Sequence, residues 1–517
     1  MSDFSNNDSN KVNEEELSTV FSNPTEHKKT ADKVKKKPKI LIVLVCVLAV
    51  AVLAGGTWGV VKFIPKLKTD DETSSQTSGI ELLNIAEKDA KGITVTNEYG
   101  SFNYYTKTEK DEEGTETVNW YLKGYSSDVV SSSTLQSKAQ GVLELSAQRL
   151  ITEMSEKDCG LDSPTATTVV NTTYGKKTKL LLGSQSFDET GYYLKIDGSD
   201  KIYLVESDIA DSFSFTLNSL ARLDTTKTFE LDDDMLEDYA SEDGSLLGFD
   251  EFIVTGKNYQ EPLVIVYEPE RAAGTNSYLV RSASNRIAEN NTMSELITVF
   301  SNGLTPDGAY ALDVKTESLK KFGFDNPDFQ VTMRIKKKSL TYKFAKQDDG
   351  NYAVWCDGEK LIKMVLAEQI GFVEYKKEDF YSTWVCLNNI ADVKKLTINT
   401  AEKNYSFGIK QIPNEETGGV DYEVTYNGNK INTEKFQEFY TQLLSTYCSD
   451  FKPGNTTGKS EYSFVFEFID KIGGENRTDF YNHSDTRYSY KTNGVPLGKV
   501  NKSDITKLIS SLEELVK

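Results

Sequence analysis

The chain has 517 residues, more than one core needs, and a formal net charge of −20 with 27% charged residues. A chain this acidic repels nucleic acid, so no nucleic-acid partner is expected. Five cysteines do not form a disulfide framework at this length, and two histidines, His27 and His483, leave no set for a His-rich zinc centre or a Ser-His-Asp group that does not rest on His483 alone.

Residues 1–39 are polar, lack apolar periodicity and end in a lysine cluster (Lys28, Lys29, Lys33, Lys35, Lys36, Lys37, Lys39), which reads as a disordered cytoplasmic tail. Residues 40–61 (ILIVLVCVLAVAVLAGGTWGVV) are uncharged and mostly aliphatic, long enough for a transmembrane helix of roughly 20 residues. The positive-inside bias then places the amino terminus in the cytoplasm and the rest outside, with the lipid bilayer as the first partner, held through 40–61. A cleaved secretory signal is the alternative, although its apolar part is shorter and nearer the terminus. Residues 62–89 read as a juxtamembrane spacer.

From residue 90 the pattern repeats. Segments 93–96, 102–107 and 118–123 alternate Tyr, Val and Trp with polar residues, the period of two that marks strands. Ser133 and Gln136 form a capping box ahead of a helix carrying Leu135, Ala139, Val142, Leu143, Ala147 and Leu150. Gly160 and Pro164 stop that helix. Strands follow at 165–174, 178–183, 191–196 and 201–205, the last two joined by Asp197-Gly198, a favoured hairpin turn. Ser207-Asp208 then opens a second helix on Ile209, Phe213, Leu217 and Leu220.

The same order returns in 251–390. Strands are expected at 252–255 and 263–267, Thr292 with Glu295 forms another capping box, 322–327 answers 159–164, and 351–358 aligns with 191–198. Ile93 matches Ile253 and Tyr192 matches Tyr352, each pair 160 positions apart. A third copy fills 391–517. Its first helix sets Phe436, Phe439, Tyr440, Leu443, Leu444 and Tyr447 on one face, its hairpin turns at Asn493-Gly494, and Ser503-Asp504 opens the last helix. The units are therefore 90–225, 251–390 and 391–517, with an acidic connector at 226–250.

The phrases GLDSPTATTVV (160–170), KKTKLLLGSQ (176–185), GYYLKIDGSDKIYLVESDIADSF (191–213) and FYSTWVCLNNIADVKKLTI (380–398) resemble bacterial proteins of the domain of unknown function 4340 family. The resemblance implies a protein of the bacterial cell envelope, secreted or tethered by one span, and a gene neighbourhood shared with ABC transporters of gliding-type systems. No catalytic residue is established for that family, so none is carried over.

Several motifs invite chemistry and are better read as structure. In PGNTTGKS (453–460) only three residues separate Gly454 from Gly458, one short of a phosphate-binding loop. The run Asp232, Asp233, Asp234, Glu237 and Asp238 lacks the ligand alternation and central glycine of a calcium loop, and reads as a solvated connector. His483 sits in a polar turn-like NHSD stretch. Cys159, Cys356, Cys386 and Cys448 read as buried free thiols, one bridge being the alternative. The sequons at Asn171 and Asn476 are frequent by chance in such a chain. Among the abundant aromatic residues, Tyr104, Trp120 and Tyr193 are candidates for outward stacking surfaces that meet glycan or a partner strand.

Taken together, the expected fold is α+β: one amino-terminal transmembrane helix, then three tandem related units of mostly antiparallel sheet with two helices each. No catalytic, cofactor-binding or metal-binding residue is assigned. The expected function is non-enzymatic, that of an extracytoplasmic interaction or scaffold protein accessory to an ABC transporter permease or another envelope protein. The alternatives are capture of a peptide, glycan or ion between units and, behind it, an envelope-modifying enzyme.

Overall fold

Alternation along one strand sets the first sheet. In Ala90–Asn97 the side chains of Ala90, Ile93 and Val95 are buried while those between them face outwards, so both edges of the strand are free to pair. The computed structural model describes residues 79–517 apart from 111–113, 241–245, 247, 269–277 and 415–418. Ala90–Asn97 pairs antiparallel with Gly100–Lys110 on one side and Ala166–Thr172 on the other. Glu116–Leu122 extends the first side. Lys177–Gln185, Gly191–Ile196, Ile202–Glu206 and the short edge strand Arg149–Ile151 extend the second, giving eight strands in all.

Two more sheets are built in the same strand order. The second has nine strands around Glu251–Gly256, which pairs with Leu263–Tyr267 and Phe329–Ile335. The third has eight around Val393–Asn399, which pairs with Asn404–Asn414 and Tyr462–Phe468. A two-stranded ribbon, Ile80–Glu81 with Ser146–Ala147, completes four sheets among the described residues.

The α-helices among the described residues are α1 (Ser132–Leu143), α2 (Asp233–Tyr239), α3 (Asn290–Asn302), α4 (Thr316–Lys321), α5 (Thr433–Leu444) and α6 (Lys502–Leu515). The longer ones cover the apolar sheet faces. Leu135, Ala139, Val142 and Leu143 of α1 are buried, as are Met293, Leu296 and Phe300 of α3. The Phe300 ring lies 4.9–6.4 Å from those of Phe252, Tyr342, Phe344 and Phe372, in tilted and edge-on contacts that suit ring quadrupoles. In the third sheet α5 buries Phe436, Phe439, Tyr440, Leu443 and Leu444, and α6 buries Ile505, Leu508 and Leu512.

Four expectations are corrected. The fold is mostly antiparallel sheet with few helices, not an α+β arrangement with two helices in every unit. The segment expected to form the second helix of the first unit is a 3-10 turn, Ser207–Ser212, and the second unit has 3-10 turns at Ala367–Gln369 and Gly371–Glu374. The cause is local: Phe213 and Phe215 are both buried, and residues two apart cannot share one face of an α-helix.

The single-pass membrane reading is also corrected, because no helix among the described residues is long and apolar enough to cross a membrane. The longest, α6, has 14 residues and reaches about 21 Å, against roughly 30 Å of hydrocarbon. Residues 40–61, and the tail and most of the spacer around them, lie outside the described residues.

The two capping boxes are absent as drawn. Ser131, not Ser133, caps α1 by accepting from Thr134 N at 3.1 Å, and Thr292 donates to Asp379 O at 2.9 Å instead of closing a box with Glu295. Finally, the register of the opening strands differs by one position. Ile93 is matched by the buried Phe252, which faces Met333 as Ile93 faces Val170, whereas Ile253 lies half-buried opposite Thr332. The hairpins do keep the spacing, since Tyr192 faces Val205 as Tyr352 faces Val365.

Buried charge ties neighbouring sheets together. Lys363 is only 4% exposed, and its Nζ donates to Glu359 Oε1 at 2.8 Å and to Thr225 O at 2.9 Å. Glu359 Oε1 also accepts from Lys227 N at 3.0 Å, so the chain leaving the first sheet is pinned to a hairpin of the second. Between the second and third sheets, the Arg286 guanidinium lies 5.0 Å from the Tyr381 ring and 5.3 Å from the Phe451 ring, and donates to Phe451 O at 3.0 Å.

Replacing Lys363 by Met strands the Glu359 carboxylate and is expected to lower stability by about 3–5 kcal/mol, read as a drop in the urea midpoint, with Glu359→Gln added to it recovering part of the loss. Arg286→Lys keeps the charge but loses the planar stack. It is expected to cost about 1–2 kcal/mol in the same measurement, whereas an exposed Arg→Lys change on the sheet surface, such as Arg334→Lys, costs under about 1 kcal/mol.

Candidate functional site

Residues singled out in the sequence do not converge. Tyr104, Trp120 and Tyr193 are buried, so the expectation that they offer outward stacking surfaces is corrected: their strands turn them into the cores. Tyr104 and Trp120 meet edge-on at 5.6 Å, and the Trp120 indole donates to Glu87. His483 is exposed in a turn where its N donates to Arg487 O at 3.2 Å. In the acidic run, Asp232 pairs with Lys338 at 3.0 Å and Asp238 with Lys336 at 3.3 Å. Among the described residues no group of His, Cys, Asp and Glu is placed to hold a metal ion. Cys159, Cys356, Cys386 and Cys448 are free and buried, and burial pushes the thiols of Cys356 and Cys386 up to about 12, far from reactive.

A hollow does form on the outer face of the first sheet, across the start of Ala90–Asn97. Its volume is about 370 Å³ and its walls include Lys91, Asn103, Tyr105, Asn171, Lys176 and Lys177. Gly92 is its floor. The register places Gly92 between Tyr105 and Asn171, and a Cβ there would come within 2.9 Å of Tyr104 O, so this strand position carries no side chain.

Two local devices fix the walls. The ladder shifts between Ala90 and Gly92, so Lys91 bulges outwards, and Thr106 Oγ1 donates to Ala90 O at 2.8 Å, satisfying a carbonyl that the shift exposes. On the opposite wall, Thr172 Oγ1 donates to Lys176 O at 3.1 Å and accepts from Lys176 N at 3.0 Å, while Gly175 supplies the positive φ of the turn. Lys176 and Lys177 therefore leave a locked turn. Among the described residues, none of the three lysines lies within 4.0 Å of a carboxylate, and the carboxamides of Asn103 and Asn171 make no side-chain hydrogen bond.

The strand Lys177–Gln185 ends at a second exposed feature. Phe187 stands fully in solvent at a hairpin tip. The tip is ordered by Asp188, which accepts from Ser186 Oγ at 2.7 Å and Thr190 Oγ1 at 2.9 Å, and by Ser186 Oγ accepting from Gly191 N at 3.1 Å. The corresponding tips open with Gln347 N donating to Asn351 O and His483 N donating to Arg487 O, which puts Asp348 and Ser484 where the first sheet has Phe187.

A smaller space of about 250 Å³ lies where the first sheet meets the second. Most of its charges are paired: Lys360 meets Asp128 at 2.7 Å and Arg222 meets Asp224 at 2.6 Å, besides the Lys363–Glu359 pair. Lys360 holds the Asp128 carboxyl down at about 2. This space fastens the two sheets to one another.

Sequence reading missed both exposed features. A clue to the hollow existed in Lys91-Gly92 at the head of a strand and Gly175-Lys176-Lys177 at a turn, but only the register joins them.

No curated protein and no solved structure matches the chain. A family model, Domain of unknown function (DUF4340), matches residues 120–273, from inside the strand Glu116–Leu122 to just past Leu263–Tyr267. Over that span the chain is similar to the DUF4340 family, in agreement with the resemblance read in its sequence.

Proposed function

We propose that the protein is a non-catalytic interaction protein, with the hairpin tip of the first sheet as its contact point for a protein partner. The observation that carries this reading is Phe187. A phenylalanine wholly in water gains roughly 1.5–3 kcal/mol when a partner covers it, and a turn ordered by its own hydrogen bonds loses little entropy on docking. The other two tips carry polar residues at that position, so the fold itself does not need an aromatic there. Sheets held to one another by buried charge supply a firm frame for such a contact.

The partner class implied by the family resemblance is a subunit of an ABC transporter. A photo-crosslinking residue placed at Glu189 is expected to capture such a subunit in cells. Phe187→Asp is expected to reduce capture about tenfold or more, as loss of an aromatic anchor does, with an unchanged melting temperature. Undiminished capture by the Phe187→Asp protein would sink the reading.

A further inference from the structure

The three sheets allow one position to be compared with itself. Gly92 of the first sheet faces Asn171; the same place in the second is Glu251 facing Arg334, and in the third Lys395 facing Glu467. In those two sheets the position is closed by a cross-strand ion pair, at 2.9 Å and 2.7 Å. The third sheet also repeats the outward bulge, where Lys394 stands in the place of Lys91 and is neutralised by Asp470 at 2.6 Å. The first sheet keeps the bulged lysine and lacks both carboxylates. In their place are a glycine and an asparagine, and Lys176 and Lys177 at the next turn have no carboxylate partner among the described residues, whereas Lys336 and Lys338 of the matching turn in the second sheet pair with Asp238 and Asp232.

The result is a set of positive groups around an open floor, with no acidic residue among the described walls, in a chain whose net charge is −20. Lysines scattered on an acidic surface would find carboxylates. These three do not, while Lys110, Lys179 and Lys195 of the same sheet do. Around the lysines stand two carboxamides, each able to donate and accept, and one half-buried tyrosine. Ammonium groups match a compact anion, carboxamides match hydroxyl groups, and a tyrosine ring matches the apolar face of a pyranose. A space of about 370 Å³ lies within the usual range for a small-ligand site.

We propose that this hollow is a binding site for a sugar bearing one anionic group, a phosphate or a uronate carboxylate. Lys91, Lys176 and Lys177 hold the anion, Asn103 and Asn171 hold ring hydroxyls, and Tyr105 lies against the ring. The missing Cβ of Gly92 makes the depth. The proposal is independent of the Phe187 contact, which lies at the other end of the Lys177–Gln185 strand.

The test is titration calorimetry of the full chain with glucose 6-phosphate, glucuronate, glucose and inorganic phosphate. One or both charged sugars are expected to bind, at least tenfold more tightly than glucose or inorganic phosphate, and the arm that binds identifies the anion. Asn171→Glu places in the first sheet the carboxylate that the third already tolerates at this register, so the fold is kept while the lysines gain an internal partner. That variant and the Lys176→Met/Lys177→Met double variant are each expected to weaken binding about tenfold or more with an unchanged melting temperature. Three results would overturn the proposal: no heat from either charged sugar, inorganic phosphate or glucose binding as tightly as the charged sugars, or wild-type affinity in Asn171→Glu.

Discussion

Double antiparallel pairing of one alternating strand underlies each large sheet. Ala90–Asn97, Glu251–Gly256 and Val393–Asn399 each sit between two partners, with one set of side chains under the helices and the other towards solvent. Because side chains alternate with a period of exactly two residues, a slip of one position would lift Ile93 and Val95 out of the core. The cost of exposing such side chains, about 1.5–3 kcal/mol each, fixes the register. The same constraint determines what the outer face presents. Once Ile93 must point inwards, Gly92 must point outwards, and Tyr105 and Asn171 must flank it.

The bulge at Lys91 works within this constraint instead of against it. An extra residue lets a lysine swing out at the sheet's end without disturbing the inward pair Ile93 and Val170, and Thr106 keeps the local backbone satisfied. Between sheets the logic differs. Tandem units meet only their neighbours, so each junction has to be specified locally. Here that is done with charges withdrawn from water, Lys363 with Glu359 and Arg286 between two rings. Such groups tolerate few alternative arrangements, since any other packing leaves a buried charge without a partner.

Strands and hairpins were legible in the sequence because their signals are short-ranged. Alternation in ITVT and LTIN and the Asp197-Gly198 and Asn493-Gly494 turns lie at observed strands and turns. Helix ends were less legible, since Ser131 and Ser133 compete as caps and only the placement of Trp120 against Ser132 decides between them. The excess of helix arises because Ile209, Phe213, Leu217 and Leu220 have helical spacing, which the equally buried Phe215, two residues from Phe213, does not fit. The orientation of Tyr104, Trp120 and Tyr193 was not legible, because an aromatic suits either face of a strand until its neighbours are known. The hollow was hidden for a stronger reason. It is built from the absence of a side chain at Gly92 and of carboxylates that other sheets possess, and absences acquire meaning only when registers are aligned.

Energetics explain how one repeat could diverge at this position while the fold persisted. An exposed cross-strand ion pair contributes on the order of 0–1 kcal/mol, so exchanging Glu–Arg or Lys–Glu for Gly–Asn barely disturbs the sheet. A glycine within a strand costs roughly as much again. Neither term approaches that of the buried pairs inside, and Phe187 at its tip likewise takes no part in any core. The lysines around the hollow and Phe187 therefore lie where stability is indifferent to sequence. Gly92 is different, because the approach of Tyr104 O leaves no room for a Cβ there, but three lysines near one another without carboxylates add mutual repulsion. A departure that the fold does not reward has its explanation in what the surface meets.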